Sequence, residues 1–202
     1  MCNDYELHVS WAQYKRALES VSVTIPSRQS ALDLPQADDV RINDIAPVMR
    51  SAGEGVVELA PMRFGFPPPR PKASPVFNFR SEGRRFGESQ RCLIPASAFF
   101  EFTGTTYPKA KHRFVLNDAP SLAIAGLWRD GKGNQPPSFT MLTTEPGPDV
   151  APIHNRQVVV LRPADWMAWL DLSRPEADLL RALPKGSLSV ETVREASDKR
   201  LL

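Results

Sequence analysis

Proline constrains this chain more than any other residue type, because its 202 residues include 20 prolines and only 11 glycines. Proline lacks a backbone N–H and interrupts both helix interiors and central strands. The composition therefore predicts many short elements joined by stiff loops, and it argues against a helical bundle. A chain of this length can bury one hydrophobic core, so we expect a single domain over residues 1–202.

Short apolar and alternating stretches predict that most of the secondary structure is β-strand. The predicted strands cover residues 56–59, 76–80, 91–95, 98–102, 113–116, 122–128, 138–144 and 157–161. Ser10 can cap a helix over 11–18, and further helices are predicted near 164–170 and 175–183. Residues 22–40 are polar and are expected to form an exposed loop. Many strands with few helices between them favour an α+β fold with a largely antiparallel sheet.

Charge and cysteine content leave the binding partner open. The net charge of +2 neither requires nor excludes nucleic acid, since a basic groove can exist on a nearly neutral chain. No apolar run has the length of a membrane span, and the start of the chain does not resemble a signal peptide. We expect a cytoplasmic protein with reduced thiols and no metal or cofactor, and a Cys2–Cys92 disulfide is the less favoured alternative.

Cys2 is the first candidate for chemistry. Aminopeptidases generally remove an initial methionine that precedes a small residue, and loss of Met1 would leave an amine and a thiol together on Cys2. The ordinary pKa of the amine is about 7.7–8.0 and that of the thiol about 8.5, which gives both a nucleophilic fraction near neutral pH. Such an aminothiol forms a Schiff base with an aldehyde, and its sulfur then closes a thiazolidine ring. The alternative is that a cysteine at this position is accidental.

Two further side chains could move protons. His154 lies in a loop beside Arg156 and just before an apolar strand, where a histidine can shuttle protons near neutral pH. Glu101 lies among phenylalanines, and burial there would raise its pKa into the range of a general acid. The alternatives are a surface or packing histidine and a carboxylate that faces solvent on an edge strand.

Asn78 and Arg80 alternate with Phe77 and Phe79, so the two-residue period of a strand places the polar pair on one face. An asparagine and an arginine on one face can orient a ligand and bind a phosphate. The alternative is a solvated sheet face.

Several short motifs follow one another between residue 1 and about residue 161. They are Met1-Cys2, Phe64-Gly65-Phe66-Pro67, Asn78-Phe79-Arg80-Ser81-Glu82, Arg91-Cys92-Leu93-Ile94-Pro95-Ala96, Phe99-Phe100-Glu101-Phe102, Ala125-Gly126-Leu127-Trp128, Thr140-Met141-Leu142-Thr143-Thr144 and the segment 153–161. In this order they resemble the motifs of the SOS response-associated peptidase (SRAP) family.

The resemblance implies a barrel-like, largely antiparallel β core with short flanking helices. It implies a protein that bonds covalently to abasic sites in single-stranded DNA, with Cys2 as the nucleophile and Glu101 as the acid that opens the abasic sugar. His154 would assist proton transfers, Asn78 would orient the terminal residue, and Arg80 would contact phosphate. The family is also credited with autocatalytic release of residues that precede the cysteine.

On this hypothesis Arg63, Arg80 and Arg156 bind the phosphates of single-stranded DNA, and Phe64 and Phe66 lie against its bases. The partner would be single-stranded DNA with abasic sites, without a membrane, and the protein is expected to be a monomer.

The start of the chain departs from the family pattern. Many members begin Cys-Gly-Arg, with an arginine that contacts DNA, whereas Asn3 and Asp4 follow Cys2 here. A carboxylate at that position should weaken phosphate binding. The segment 62–66 also lacks the usual tryptophan. Two other functions stay open: a cysteine or N-terminal-nucleophile peptidase using Cys2, His154 and Glu101, and a non-enzymatic module that binds single-stranded nucleic acid.

Overall fold

The computed structural model of the protein describes residues 2–20, 36–53, 56–87 and 89–196. The strands are β1 (Asp4–Leu7), β2 (Ala37–Arg41), β3 (Ile45–Gly53), β4 (Val56–Phe64), β5 (Asn78–Arg80), β6 (Arg91–Ala96), β7 (Ala98–Thr103), β8 (Ala110–Leu116), β9 (Leu122–Arg129), β10 (Ser138–Thr144), β11 (Gln157–Val158), β12 (Val160–Leu161) and β13 (Leu188–Arg194). The helices are α1 (Trp11–Ser20), α2 (Pro163–Asp171) and α3 (Glu176–Leu179).

These elements confirm the predicted α+β class with its mostly antiparallel sheets. The strand predicted at 138–144 coincides with β10, and those predicted at 91–95 and 122–128 each end one residue early. Helix α1 begins directly after Ser10, whose Oγ accepts a hydrogen bond from the Gln13 N–H at 3.3 Å. The Gln13 Oε1 accepts one from the Ser10 N–H at 2.8 Å, which completes a reciprocal capping box.

The sequence patterns miss β1, β2, β3 and β13. The loop predicted over 22–40 is wrong for residues 37–40, which belong to β2, and residues 22–35 of it lie outside the described part of the chain. β2 and β13 carry mostly charged or exposed residues, so their pairing depends on the backbone of neighbouring strands rather than on an apolar face. The helix predicted at 175–183 is shorter than expected, because α3 ends at Leu179.

Five strands of the larger sheet close into a barrel. The ladders β4–β3, β3–β6, β6–β9 and β9–β10 are antiparallel, and a parallel ladder between β10 and β4 completes the ring. β5 adds to β10 in parallel, with Asn78 opposite Met141 and Arg80 opposite Thr143. The barrel therefore holds β5 in a fixed register at its wall.

Prolines occur inside this barrel, contrary to the expectation that they interrupt central strands. Pro47 of β3 lies directly opposite Pro61 of β4. Opposite residues in an antiparallel ladder either exchange two hydrogen bonds or exchange none, and two residues without N–H groups suit the second kind of pair. The described ladder between β3 and β6 starts only at Met49, beyond Pro47.

The smaller sheet has the order β13-β8-β7-β1-β2 and is antiparallel throughout. Its inner side chains, such as Tyr5 and Phe114, share one buried cluster with barrel residues such as Phe139. The helices cover a second cluster that includes Trp166 and Trp169. In the described ranges, no helix is both long enough and apolar enough to span a bilayer.

Candidate active site

The residues predicted to carry the chemistry lie together at the junction of β1, β5 and β7. The Asn78 Nδ2 donates a hydrogen bond to the backbone carbonyl of Cys2 at 2.7 Å. The backbone N–H of Cys2 faces the Glu101 carboxylate closely enough to lower the pKa of that carboxyl. The Nε2 of His154 lies 3.7 Å from Glu101 Oε2. The structure thus brings Cys2, Asn78, Glu101 and His154 into one contiguous group.

Strand pairing explains this placement. β1 and β7 are antiparallel, with Tyr5 opposite Phe99. Moving back three residues from Tyr5 along the chain therefore corresponds to moving forward three residues from Phe99. This register carries Cys2 to the level of Glu101 and its C-terminal neighbour. Asn78 begins β5, and His154 ends a turn in which its N–H donates to the Val150 carbonyl at 3.0 Å.

The Cys2 thiol is completely buried, and its Sγ donates a hydrogen bond to the Asp4 backbone carbonyl at 3.2 Å. Burial raises the pKa of this thiol well above its ordinary value, and the nearby Glu101 charge raises it further. The expectation of an appreciable thiolate fraction near neutral pH is therefore wrong for the folded protein. The thiol stays protonated, and another group must accept its proton before the sulfur can act as a nucleophile.

Of the two proton-transfer candidates, Glu101 is buried and His154 is partly buried. The Glu101 side chain is 1% exposed, and burial raises the pKa of its carboxyl to about 7, within the range of a general acid at neutral pH. Burial lowers the pKa of His154 below its ordinary value, so the neutral imidazole predominates at neutral pH.

Two contacts at Nδ1 are compatible with different tautomers of His154. This atom lies 3.1 Å from the Arg156 N–H and 3.0 Å from the Arg156 carbonyl. One nitrogen cannot accept from the first and donate to the second at the same time. In the tautomer that accepts from the N–H, the proton is on Nε2 and faces Glu101.

Glu101→Gln is expected to stabilise the protein, and more so at alkaline pH. A carboxyl whose pKa is raised on folding holds an extra proton in the native state, so the free energy of unfolding falls as pH rises from its ordinary pKa of 4.5 to about 7. Glutamine removes this term. The gain should be about 1–3 kcal/mol larger near pH 8 than near pH 5. Denaturant unfolding at both pH values measures it, and an equal gain at both would contradict the raised pKa.

The residues predicted to bind DNA differ in their availability. Arg80 is exposed at the end of β5, two residues beyond Asn78 on the same strand. Arg63 is partly buried, and its Nη2 donates to Gln135 Oε1 at 2.8 Å. A ligand can therefore reach Arg80 without breaking a side-chain hydrogen bond like the one between Arg63 and Gln135.

Arg156 is held by other side chains. Its two terminal nitrogens contact the two carboxylate oxygens of Glu82 at 2.7 and 2.9 Å, and Nη2 also donates to Thr143 Oγ1 at 3.1 Å. Only 12% of its side chain is exposed. A phosphate would have to displace Glu82 to reach this guanidinium.

The predicted base contacts of Phe64 and Phe66 do not fit the structure. Phe64 is fully buried and stacks on Phe139 with ring centroids 5.1 Å apart. Phe66 is 2% exposed, packs edge-on against Phe79, and carries the Arg129 guanidinium over its ring. Both rings belong to the hydrophobic core, because burying a phenylalanine side chain is more favourable than leaving it exposed to water.

Sequence reasoning did not find two features beside the site. Lys111 Nζ forms ion pairs with Asp4, at 3.0 Å, and with Asp39. Burial raises the pKa of Asp4 to about 7. Burial also acts to raise the pKa of Asp39, but the interactions with Lys111, Asp4 and Arg41 together lower it to about 2. The second feature is Thr143, which also donates to the Phe79 carbonyl at 3.3 Å. Asp4, two residues after Cys2, was a signal for the first feature, but its partners Asp39 and Lys111 are distant in sequence.

Both cysteines are free, so the Cys2–Cys92 disulfide considered from the sequence is absent. Both side chains are buried and carry thiols. Over the ranges that the structure describes, no group of three or more His, Cys, Asp or Glu side chains is arranged to hold a metal ion.

Comparison with known proteins gives a family and a set of relatives. A family model described as "SOS response associated peptidase (SRAP)" matches residues 1–199. The abasic site processing protein YoqW of Bacillus subtilis (strain 168) is 31% identical over 141 residues, which is 62% of this chain and 62% of that protein. The match thus spans less than two thirds of the length of this relative.

Solved structures show the same fold. A protein from Bordetella bronchiseptica aligns over 96% of this chain and 100% of its own, with a TM-score of 0.67 and 24% identity. A second protein from the same organism, described as phage-related, aligns over 96% of this chain and 95% of its own, with a TM-score of 0.69 and 20% identity. At these identities the similarity describes the fold alone.

Proposed function

Because the chain belongs to the SOS response associated peptidase (SRAP) family, we propose that it processes abasic sites in single-stranded DNA by bonding to them through Cys2. The convergence of Cys2, Asn78, Glu101 and His154 on one site carries the proposal. The relative named as an abasic site processing protein supports the substrate class.

The proposal requires a free amine on Cys2, and hence loss of Met1, either by an aminopeptidase or by the protein itself. The hydrogen bond from Asn78 holds the Cys2 carbonyl at 2.7 Å. With the carbonyl fixed, the nitrogen faces Glu101 and the thiol is carried by the same residue. Both nucleophiles are therefore positioned before substrate binds, which reduces the entropy lost in reaching the transition state.

The first step opens the abasic sugar. Protonated Glu101 donates its proton to the ring oxygen, the bond between that oxygen and C1′ breaks, and the C1′ hydroxyl loses its proton to neutral His154, which leaves an aldehyde. A carboxyl with a pKa of about 7 exists partly as the acid at neutral pH, which this step needs. An abasic nucleotide has no base to unpair or unstack, so drawing its sugar into the site costs little.

The second step forms the ring. The Cys2 amine adds to the aldehyde carbon, and the resulting carbinolamine loses water to give an imine. The sulfur then adds to the same carbon, while its proton passes to Glu101, which is now a carboxylate, and protonated His154 returns its proton to the imine nitrogen. The product is a thiazolidine, and the net change is loss of one water. His154, 3.7 Å from Glu101, can relay these protons.

The strand would be bound through its phosphates near the site. Arg80 is exposed on the strand that carries Asn78 and is the first candidate. Arg156 becomes available only if a phosphate replaces Glu82, a side chain that is 39% exposed and can move into solvent. Arg63 could join after releasing Gln135. Phe64 and Phe66 have no part in this proposal.

A denaturing gel tests the function directly. The purified protein is incubated with single-stranded DNA containing one abasic site, and intact mass spectrometry first confirms that the chain begins at Cys2. A slower band that survives denaturation is expected. The matched control is the same oligonucleotide with a tetrahydrofuran residue, which cannot open to an aldehyde and should give no such band. If protein with a free Cys2 amine forms no stable band, the proposed chemistry is wrong.

A further inference from the structure

A cleft of about 400 Å³ opens directly beside the reactive residue. It lies at the end of the smaller sheet, where β1, β2, β7, β8 and β13 come together. The residues lining it include Asn3, Arg41, Phe102, Tyr107, Lys111 and Arg194. Asn3 follows Cys2 in the chain, and consecutive Cα atoms are about 3.8 Å apart, so the cleft begins within one residue of the nucleophile.

The cations in the cleft are not equally available. Lys111 is 11% exposed, lies over the Phe100 ring at 3.6 Å, and is paired with two carboxylates. Its charge is neutralised by these carboxylates, so Lys111 forms the floor of the cleft rather than a contact for a ligand. Arg41 forms an ion pair with Asp39 through Nη2 at 2.8 Å, and 68% of its side chain is exposed.

Arg194 is the cation best suited to meet an anion. Its Nε donates to the Lys109 carbonyl at 3.0 Å, which fixes the guanidinium plane. The guanidinium lies 5.9 Å from the centroid of the Phe102 ring. Among the residues that the structure describes, no carboxylate forms an ion pair with it, and the residue is exposed. The two terminal nitrogens can therefore contact a phosphate in the fork geometry that arginine favours.

The cleft also presents an aromatic surface. Tyr107 is 84% exposed, whereas the other aromatic at the cleft, Phe102, is half-buried. A single exposed aromatic is common on protein surfaces, but here it stands beside two reachable arginines. An aromatic face next to a phosphate-binding cation matches the two parts of a nucleotide, and the volume lies within the range of about 300–1,000 Å³ typical of small-ligand sites.

We propose that this cleft binds the nucleotide adjacent to the lesion, on one side of it only, with the base on Tyr107 and the phosphate at Arg194. The ligand class rests on the proposed function, while the site itself rests on the cleft and its side chains. A flanking nucleotide fits better than a free one because Asn3, the residue after Cys2, lines the cleft. The cleft therefore adds positive charge near Cys2, at a place where Asp4 contributes a negatively charged carboxylate.

Binding of DNA that cannot react tests this inference separately from the chemistry. Fluorescence anisotropy measures the affinity for single strands carrying tetrahydrofuran at one end, with nucleotides only on the 5′ side or only on the 3′ side. Tyr107→Ala and Arg194→Ala should each weaken binding about tenfold for one of these strands and leave the other nearly unchanged. Arg194→Ala should also reduce the slope of log affinity against log salt by about 0.7, the value for one phosphate on a single strand.

Lys185→Ala is the matched control, because Lys185 is exposed and precedes β13, whereas Arg194 ends it. It should change neither affinity. The inference is overturned by equal losses on both strands, by no loss on either, or by a mononucleotide that binds as tightly as the one-sided strand. Cleft-dependent binding without a covalent band on true abasic DNA would keep the cleft and reject the proposed chemistry.

Discussion

Cys2→Ala is expected to abolish the DNA band that survives denaturation, yet to leave a band that borohydride can trap. Alanine after removal of Met1 still offers an amine, which can form an imine with the abasic aldehyde. Without sulfur the imine cannot close to a thiazolidine, and it hydrolyses during denaturation. Reduction of the imine to an amine would preserve the bond. The measurement is a pair of denaturing gels, with and without borohydride.

Cys92→Ala provides the matched control, because Cys92 is the other cysteine and is equally buried. It lies in β6, opposite Gly126 of β9, and its loss removes a buried sulfur without touching the site. This variant should retain the full band without borohydride. A stable band from Cys2→Ala in the absence of reductant would show that a different residue makes the bond.

Glu101→Gln is expected to slow formation of the linkage by about 10²–10⁴-fold, the range for loss of a general acid–base group. Glutamine keeps the shape but can neither donate a proton to the sugar ring nor accept the one from the buried thiol. Rates come from single-turnover reactions resolved on gels, with protein in excess over abasic DNA. Glu58→Gln is the control, since Glu58 forms an ion pair with Arg50 at 2.6 Å and has no contact with Cys2.

The pH dependence of the rate separates a chemical role from a structural one. The acid form of Glu101 is lost as pH rises through about 7, and the Cys2 amine gains its nucleophilic form as pH rises towards its ordinary pKa of about 7.7–8.0. The wild type should therefore show a maximum near neutral pH. Glu101→Gln should lose the decline on the alkaline side and keep the rise. A variant that is slower by the same factor at every pH would assign Glu101 a structural role.

Local patterns in the sequence determined much of the fold class and the membership of the candidate site. The strand-like stretch 138–144 and the capping residue Ser10 predicted β10 and the start of α1 directly, because both signals depend on neighbouring residues. The motifs also singled out Cys2, Asn78 and Glu101, whose side chains the structure brings together. A single domain, a monomeric state and a cytoplasmic location stay predictions.

Tertiary structure alone decided which aromatic rings are inside and which charges are free. Phe64 and Phe66 flank Gly65 in a segment that was predicted to lie against DNA bases, but closure of the barrel places both rings in the core. Burial raises the pKa of the Cys2 thiol, and Arg156 is held in an ion pair by Glu82, a residue distant in the chain. Burial and long-range pairing follow from how strands from separate parts of the chain pack together, which local sequence does not specify.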